Sequence, residues 1–421
     1  MNRRLLIVAP HFAPISAPDG QRARTLAPHL PEFGWEPHIL SVDPSAAEAP
    51  LEPDLLRTLP PDLPVTRVSA VSARLARRVG LGNLAWRAWL SLHRAGDRLL
   101  REQRFDLVYF STTQFACLPL GRIWQRRHAT PFVIDLQDPW RNDFTLQPGV
   151  RPPGGWKYRF AASQARWLEP WTLRRCAGIV SVSPAYLDQL AQRYTWWRPS
   201  LGQTVPMGWS AHDFTTATRS STLPAVDSGV IRYLGRLGPD MRPALDVFLT
   251  GLAAARRADS STNLLSEFRG GSYDPRAIAG PAQIAAQRQG VSAAVSEDPK
   301  RIPYLAALAA LRTAGANLIL GSDDSGYAPS KIWLTLAAGR PWLALARRGT
   351  VLHGLLEPQV NSTGWLVDPG DSDAPARVAE FCRLVPESPR SLPEPPAMAQ
   401  FEARELARQH ADFFHRLASA G

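Results

Sequence analysis

Tyr327-Ala328-Pro329-Ser330-Lys331-Ile332-Trp333-Leu334-Thr335-Leu336-Ala337-Ala338-Gly339-Arg340-Pro341 follows an apolar run, Ala316 to Leu320, and a turn-rich segment, Gly321 to Gly326. The order reads as strand, loop and helix start. Pro329 and Ser330 suit the first turn and cap of a helix. Gly339 suits its end, and Arg340-Pro341 leads into a further apolar run, Trp342 to Ala346. A helix start beyond the carboxyl end of a strand is a natural place for an anion, and Lys331 adds a full positive charge there. Lys331 is also one of only three lysines, with Lys157 and Lys300, in a chain holding 48 Lys+Arg.

The same alternation of apolar runs and helical stretches extends in both directions, predicting parallel sheets covered by helices on both faces. The 421 residues suffice for two or three cores. Phe214 to Ser228, rich in Thr and Ser, reads as a linker. This divides the chain into a first domain, 1–213, the linker, 214–228, a second domain, 229–395, and a last helix, 396–421. Pro386 to Pro396 carries five prolines before that helix. Phe401, Leu406, Phe413, Phe414 and Leu417 supply it with an apolar face for docking on the first domain.

Several function classes are disfavoured. Cys117, Cys176 and Cys382 are odd in number and far apart, which fits neither a disulfide framework nor a metal-binding spacing and points to a reducing cytoplasm. No run reaches the ~20 apolar residues of a membrane span, and Met1 to Pro10 lacks a signal-peptide pattern. No Walker loop, His-Glu-x-x-His or Ser/His/Asp set is present, and Gly-x-Gly-x-x-Gly does not follow the first strand, which argues against a nicotinamide enzyme. Asp135 and Asp138 lack a third ligand for a metal.

Charge is unevenly distributed. Residues 1–220 hold 27 Lys+Arg and 17 Asp+Glu, a net +10, against +1 for the remainder. It concentrates between Ser72 and Phe105, where eight arginines interleave with Trp86, Trp89 and leucines. Such a stretch fits either an anionic membrane surface or a packed helix with a solvated arginine face. No motif for nucleic acid accompanies it.

Taken in order, several segments resemble the retaining two-domain glycosyltransferases of the GT-B type, family-four-like, in the variant that reads Pro-Ser-Lys before Ala-Ala-Gly-Arg-Pro. Leu5 to Pro14 looks like the first strand and loop, and Asp19-Gly20-Gln21-Arg22 like the opening of the first helix. Phe105 to Phe110, Pro131 to Trp140, Ile179 to Ser183 and Val205 to Gly208 are similar to later strand-and-loop units. Arg232-Tyr233-Leu234-Gly235-Arg236-Leu237 is similar to the strand opening the second domain, and Thr363 to Asp371 to its late loop. The resemblance implies two doubly wound Rossmann-like domains facing a cleft, the last helix crossing back to the first.

It implies transfer of a sugar from a nucleotide diphosphate sugar to a hydroxyl of a saccharide or lipid-linked acceptor, with retention and with no cofactor or metal. Arg236 and Lys331 are the expected diphosphate ligands, with Gly235 and Ser330 beside them, Arg242 as a second basic residue and Gly20 in a turn near the phosphates. Asp138 is the candidate for accepting an acceptor hydroxyl, with Trp140 on a sugar face. His11 is a loop residue in reach of substrate. The expected location is cytoplasmic, peripheral on the inner membrane face. The sequence departs from the family at Gly326 and Leu334, where many members carry glutamates, and at Ser111, Thr112 and Thr113, where a histidine is frequent. The alternative is a catalytically degenerate scaffold that binds a sugar or a partner.

Overall fold

The computed structural model describes residues 2–78, 80–141, 155–220, 226–258, 264–270, 280–327, 329–361, 363–387 and 396–419. The chain forms two compact units, Met1–Met207 with Ala403–Gly421, and Gly208–Glu402.

In the first unit seven strands pair in parallel: β1 (Arg3–Val8), β2 (Trp35–Val42), β3 (Val65–Val68), β4 (Leu107–Ser111), β5 (Phe132–Leu136), β6 (Gly178–Ser181) and β7 (Gly202–Thr204). Their order in the sheet is β3-β2-β1-β4-β5-β6-β7. Leu5, Leu6, Ile7 and Val8 are all fully buried because helices cover both faces, so the strand is a continuous apolar run rather than an alternating one. Leu6 and Val8 join Val108, Phe110, Phe132 and Ile134 in a core under the helices Leu84–Glu102 and Pro119–His128.

The opposite face is covered in part by the helix Ala403–Ser419. Its buried positions, Ala403, Leu406, Ala407, His410, Ala411, Phe413 and Phe414, fall at spacings of three and four, one stripe of an α-helix. Phe414 meets Trp35 edge-on at 5.7 Å and Tyr109 at 5.1 Å. A Cβ on Gly178 of β6 would lie 2.6 Å from Leu417 and 2.7 Å from Phe413, so the close approach of helix to strand requires glycine. Phe401 departs from the predicted docking face: it precedes the helix and stacks on Trp333 of the second unit at 3.8 Å.

The second unit carries β8 (Asp227–Leu234), β9 (Leu265–Arg269), β10 (Val295–Asp298), β11 (Ala314–Leu320), β12 (Trp342–Leu345) and β13 (Gly364–Val367), all parallel, in the order β10-β9-β8-β11-β12-β13. The predicted linker differs from what forms. Ala211–Ser220 is a helix of the second unit, and the units divide at Met207. Phe214 and Ala217 are buried against the helix Tyr304–Thr313, and Tyr304 donates a 3.0 Å hydrogen bond to Asp213. Threonine disfavours helix only weakly, and this packing outweighs it. Residues 221–225 of that segment, and 388–395 of the proline-rich stretch, lie outside the described residues.

The basic helix Leu84–Glu102 has Leu84, Leu92, Leu99 and Leu100 buried on the core and Leu90 exposed. Arg87 is buried too, donating to the carbonyls of Val71 and Ala46. Trp89 is half-buried against the core, and Trp86 is half-buried.

Candidate functional site

In each sheet the strand order reverses once: between β1 and β4 in the first unit, and between β8 and β11 in the second. Loops diverge at such a point and leave a crevice beyond the carboxyl ends of the strands. Most of the candidate residues of each unit collect there.

In the second unit the loops after β8 and β11 build one cluster. Lys331 opens the helix Lys331–Ala337, and its Nζ donates 2.9 Å to the Tyr233 hydroxyl and sits 4.2 Å from the centre of that ring. Tyr233, near the end of β8, donates its own hydroxyl hydrogen bond to the Arg236 carbonyl at 2.6 Å. Gly235 lies between them at φ +142°, and a Cβ there would be 1.9 Å from Lys331 Nζ. Only glycine allows this backbone shape and this approach of the ammonium. Burial, and then the charge of Arg236, lower the Lys331 pKa to about 7.

Arg236 holds Asp240 through two parallel hydrogen bonds, Nη1 to Oδ1 at 2.8 Å and Nη2 to Oδ2 at 2.7 Å. The Ser322 hydroxyl donates to the same carboxylate at 2.6 Å. Arg236 and then Ser322 hold the Asp240 carboxyl down at about 2, against an opposing effect of burial. The Arg236 guanidinium also lies 5.4 Å from the centre of the Tyr327 ring.

The structure thus brings Gly235, Arg236 and Lys331 together but not Arg242. That side chain starts the helix Arg242–Ala258, is 56% exposed and pairs with Asp246 at 3.5 Å. Ser330 stands at the N-cap position, yet its side chain makes no capping hydrogen bond. Ala328 of the loop lies outside the described residues.

In the first unit Asp19 is the hub. Its Oδ1 meets His11 Nδ1 at 2.9 Å, and its Oδ2 accepts from the Thr112 hydroxyl at 2.8 Å and the Thr113 amide at 3.3 Å. Burial opposes ionisation of Asp19, but these hydrogen bonds outweigh it and lower the pKa. Gly20 is needed for a local reason, since a Cβ would meet the His11 carbonyl oxygen at 2.5 Å. Gln137 bridges onward, donating to the Asp19 carbonyl at 3.3 Å, to Ser111 at 3.2 Å and to Asp135 at 2.9 Å.

Asp135, fully buried, faces Arg22 at 3.1 Å. Arg22 in turn reaches the Val205 carbonyl at 2.9 Å and His410 Nε2 at 3.3 Å. Burial and Arg22 drive the His410 pKa down to about 3, so this ring is neutral. Asp135 therefore serves an internal ion pair. Among the described residues no group of three His, Cys, Asp or Glu is placed to hold a metal.

Asp138 is exposed, and its carboxyl is raised by local desolvation and then by the charge of Asp19. Trp140 stacks on Phe115 at 5.8 Å with planes 10° apart, so one ring face is already covered. Asn142 and Asp143, the end of that motif, lie outside the described residues.

Sequence reasoning missed Tyr233, Asp240, Ser322 and Tyr327 in the second unit, and the Asp19, Thr112, Arg22 and His410 network in the first. Arg236 and Asp240 did offer a signal, being opposite charges four residues apart.

Comparison with known proteins agrees with this architecture. Residues 20–208 match the glycosyl transferase 4-like domain. No curated protein matches the chain. Among solved structures, the whole chain aligns with the whole of a sucrose-phosphate synthase from Thermosynechococcus elongatus at 14% identity and TM-score 0.62. An α,α-trehalose-phosphate synthase from Burkholderia xenovorans aligns over 98% of this chain and 99% of its own, at 15% identity and TM-score 0.56. A UDP-GlcNAc 2-epimerase from Methanocaldococcus jannaschii aligns over the whole of both chains at 10% identity and TM-score 0.55. The fold is of the GT-B type. That two synthases and an epimerase share it leaves the reaction to be argued from the site.

Proposed function

We propose that this protein is a glycosyltransferase that moves a sugar from a nucleoside diphosphate sugar to a hydroxyl of a saccharide or lipid-linked saccharide, with retention at the anomeric carbon. The observation that carries this reading is the cluster after β8 and β11, where Lys331 and Arg236 flank Gly235 over the Tyr233 hydroxyl. Two cations beside a glycine form a cradle for a diphosphate, and their charge stabilises the leaving group as the glycosidic bond breaks. Gly235 lets the backbone approach the phosphates, Ser330 adds its hydroxyl beside Lys331, and Arg242 supplies an outer charge. Because Arg236 and Lys331 meet the diphosphate charge, the reaction is proposed to need no metal, and turnover should survive a chelator.

The first unit takes the acceptor. Asp138 accepts a hydrogen bond from the attacking hydroxyl, and its raised pKa makes it a stronger acceptor. In front-face transfer the departing phosphate receives the proton, so no buried protein base is required. The glycosyl transferase 4-like match over residues 20–208 supports the reaction class.

Calorimetry with a panel of nucleoside diphosphates tests the donor site. One of them should bind, and Lys331→Met and Arg236→Gln should each weaken it about tenfold to a hundredfold, the effect of losing one charged hydrogen bond. Proton NMR of the product's anomeric signal then tests retention; an inverted product would refute that part. A second reading, a binding scaffold without turnover, is favoured by the Arg236–Asp240 pair, which already occupies the guanidinium fork. Nucleotide binding with no transfer to any acceptor would select it.

A further inference from the structure

Among the described residues, the clearest unpartnered surface lies on the first unit. The helix Pro119–His128 packs against both Leu84–Glu102 and Gly155–Leu173. Along the last of these, Trp167 and Trp171 stand four residues apart on one face, and Arg174 follows in the turn just past its end. Trp167 is 77% exposed, the most exposed of the large apolar side chains described.

Arginines surround this face. The Arg122 guanidinium sits 4.3 Å from the centre of the Trp171 ring and that of Arg126 5.8 Å from it. Arg174 lies 5.5 Å from the Trp196 ring. Arg126, Arg174 and Arg175 are exposed, and among the described residues none of the three has a carboxylate partner. Their mutual repulsion is felt within the cluster: after desolvation, the charges of Arg126, Arg175 and Arg174 lower the Arg122 pKa. A protein tolerates concentrated like charge beside an exposed indole at little benefit to its own stability, which points outward to an anionic partner.

We propose that this tryptophan–arginine patch, centred on Trp167 with Arg126, Arg174 and Arg175, is the surface by which the protein docks on an anionic phospholipid bilayer. An indole inserts at the headgroup level while guanidinium groups around it meet lipid phosphates, the pairing of apolar anchor and basic rim that interfacial binding uses. No helix among the described residues is long and apolar enough to cross a membrane, so the contact is from one side. The patch differs from the stretch that the sequence suggested. Trp86 and Trp89 are half-buried, and of the leucines of their helix Leu84, Leu92, Leu99 and Leu100 face the core while Leu90 is exposed.

Co-sedimentation of the full chain with vesicles tests the assignment. Vesicles of phosphatidylcholine containing phosphatidylglycerol should bind the protein, and pure phosphatidylcholine vesicles should not. Each arginine near the surface contributes about fivefold, so Arg126→Gln, Arg174→Gln and Arg175→Gln together should lower partitioning by on the order of a hundredfold. Trp167→Ser should lower it several-fold, and all variants should keep the wild-type melting temperature because the side chains are exposed. Three results would overturn the proposal: no binding of the wild type to anionic vesicles, a larger loss from Trp86→Ser with Trp89→Ser than from Trp167→Ser, or no effect of Trp167→Ser alongside equal binding of soluble polyphosphate. The last would make the patch a site for soluble polyanions. Nucleotide calorimetry on the same variants should be unchanged, so failure here is separable from failure of the donor-site reading.

Discussion

Lys331 illustrates how a residue's surroundings set its task. An ordinary lysine is charged throughout the neutral range, but this ammonium is desolvated beside Arg236 and has a pKa near 7. Two opposite pH effects follow. Its folded pKa lies below its unfolded value of about 10.4, so the folded state binds fewer protons and stability rises with pH between about 7 and 10.4. A bound diphosphate favours the protonated form, so diphosphate affinity should instead fall as pH rises above about 7, with proton uptake on binding. Calorimetry in buffers of different ionisation enthalpy checks this; a pH-independent affinity, or one unchanged in its pH dependence in Lys331→Met, would defeat it. Asp240 gives a second prediction. Its carboxylate occupies the Arg236 fork, so Asp240→Asn should free the guanidinium and raise diphosphate affinity several-fold. A loss of affinity would show instead that Asp240 mainly orients Arg236.

Elements matter here through what they bring to the ends of the strands. The helix Ala403–Ser419 seals one face of the first unit and delivers His410 to Arg22, 388 positions away in the chain. Phe414 is fully buried between Trp35 and Tyr109. Phe414→Ala should therefore cost ~3–5 kcal/mol, the range for truncating a buried phenylalanine. Asp412→Ala, on the exposed side, should stay within about 0.5 kcal/mol. Urea unfolding followed through the first unit would compare them, and equal midpoints would contradict the packing described. The same logic accounts for the helix Ala211–Ser220. Its Thr-rich composition reads as a linker until Phe214 and Ala217 find the helix Tyr304–Thr313.

For the whole molecule, the residues of the proposed donor site, Tyr233, Gly235, Arg236, Asp240, Ser322 and Lys331, all belong to the unit Gly208–Glu402. That segment expressed alone should fold cooperatively and retain diphosphate binding; a segment that folds but binds nothing would mean that its site is incomplete. Local pattern in the sequence was enough to predict the strands, because an apolar run buried on both faces is visible residue by residue, and to single out Lys331 at a helix start, while the resemblance of the strand before them added Gly235 and Arg236. It did not reveal Tyr233 as a partner of Lys331, since a Tyr in a strand looks like core until β8 and β11 become neighbours across 98 residues. Nor did it separate Arg242 from the cluster, because one turn of helix directs that side chain to Asp246. Trp167 carried no distinction from the other tryptophans while only composition was known; which of them stays exposed is decided by how helices pack. Spacing along a chain determines periodicity, and hence secondary structure, whereas charge pairing, pKa and exposure depend on neighbours that only the order of strands in a sheet and the packing of helices on it bring together.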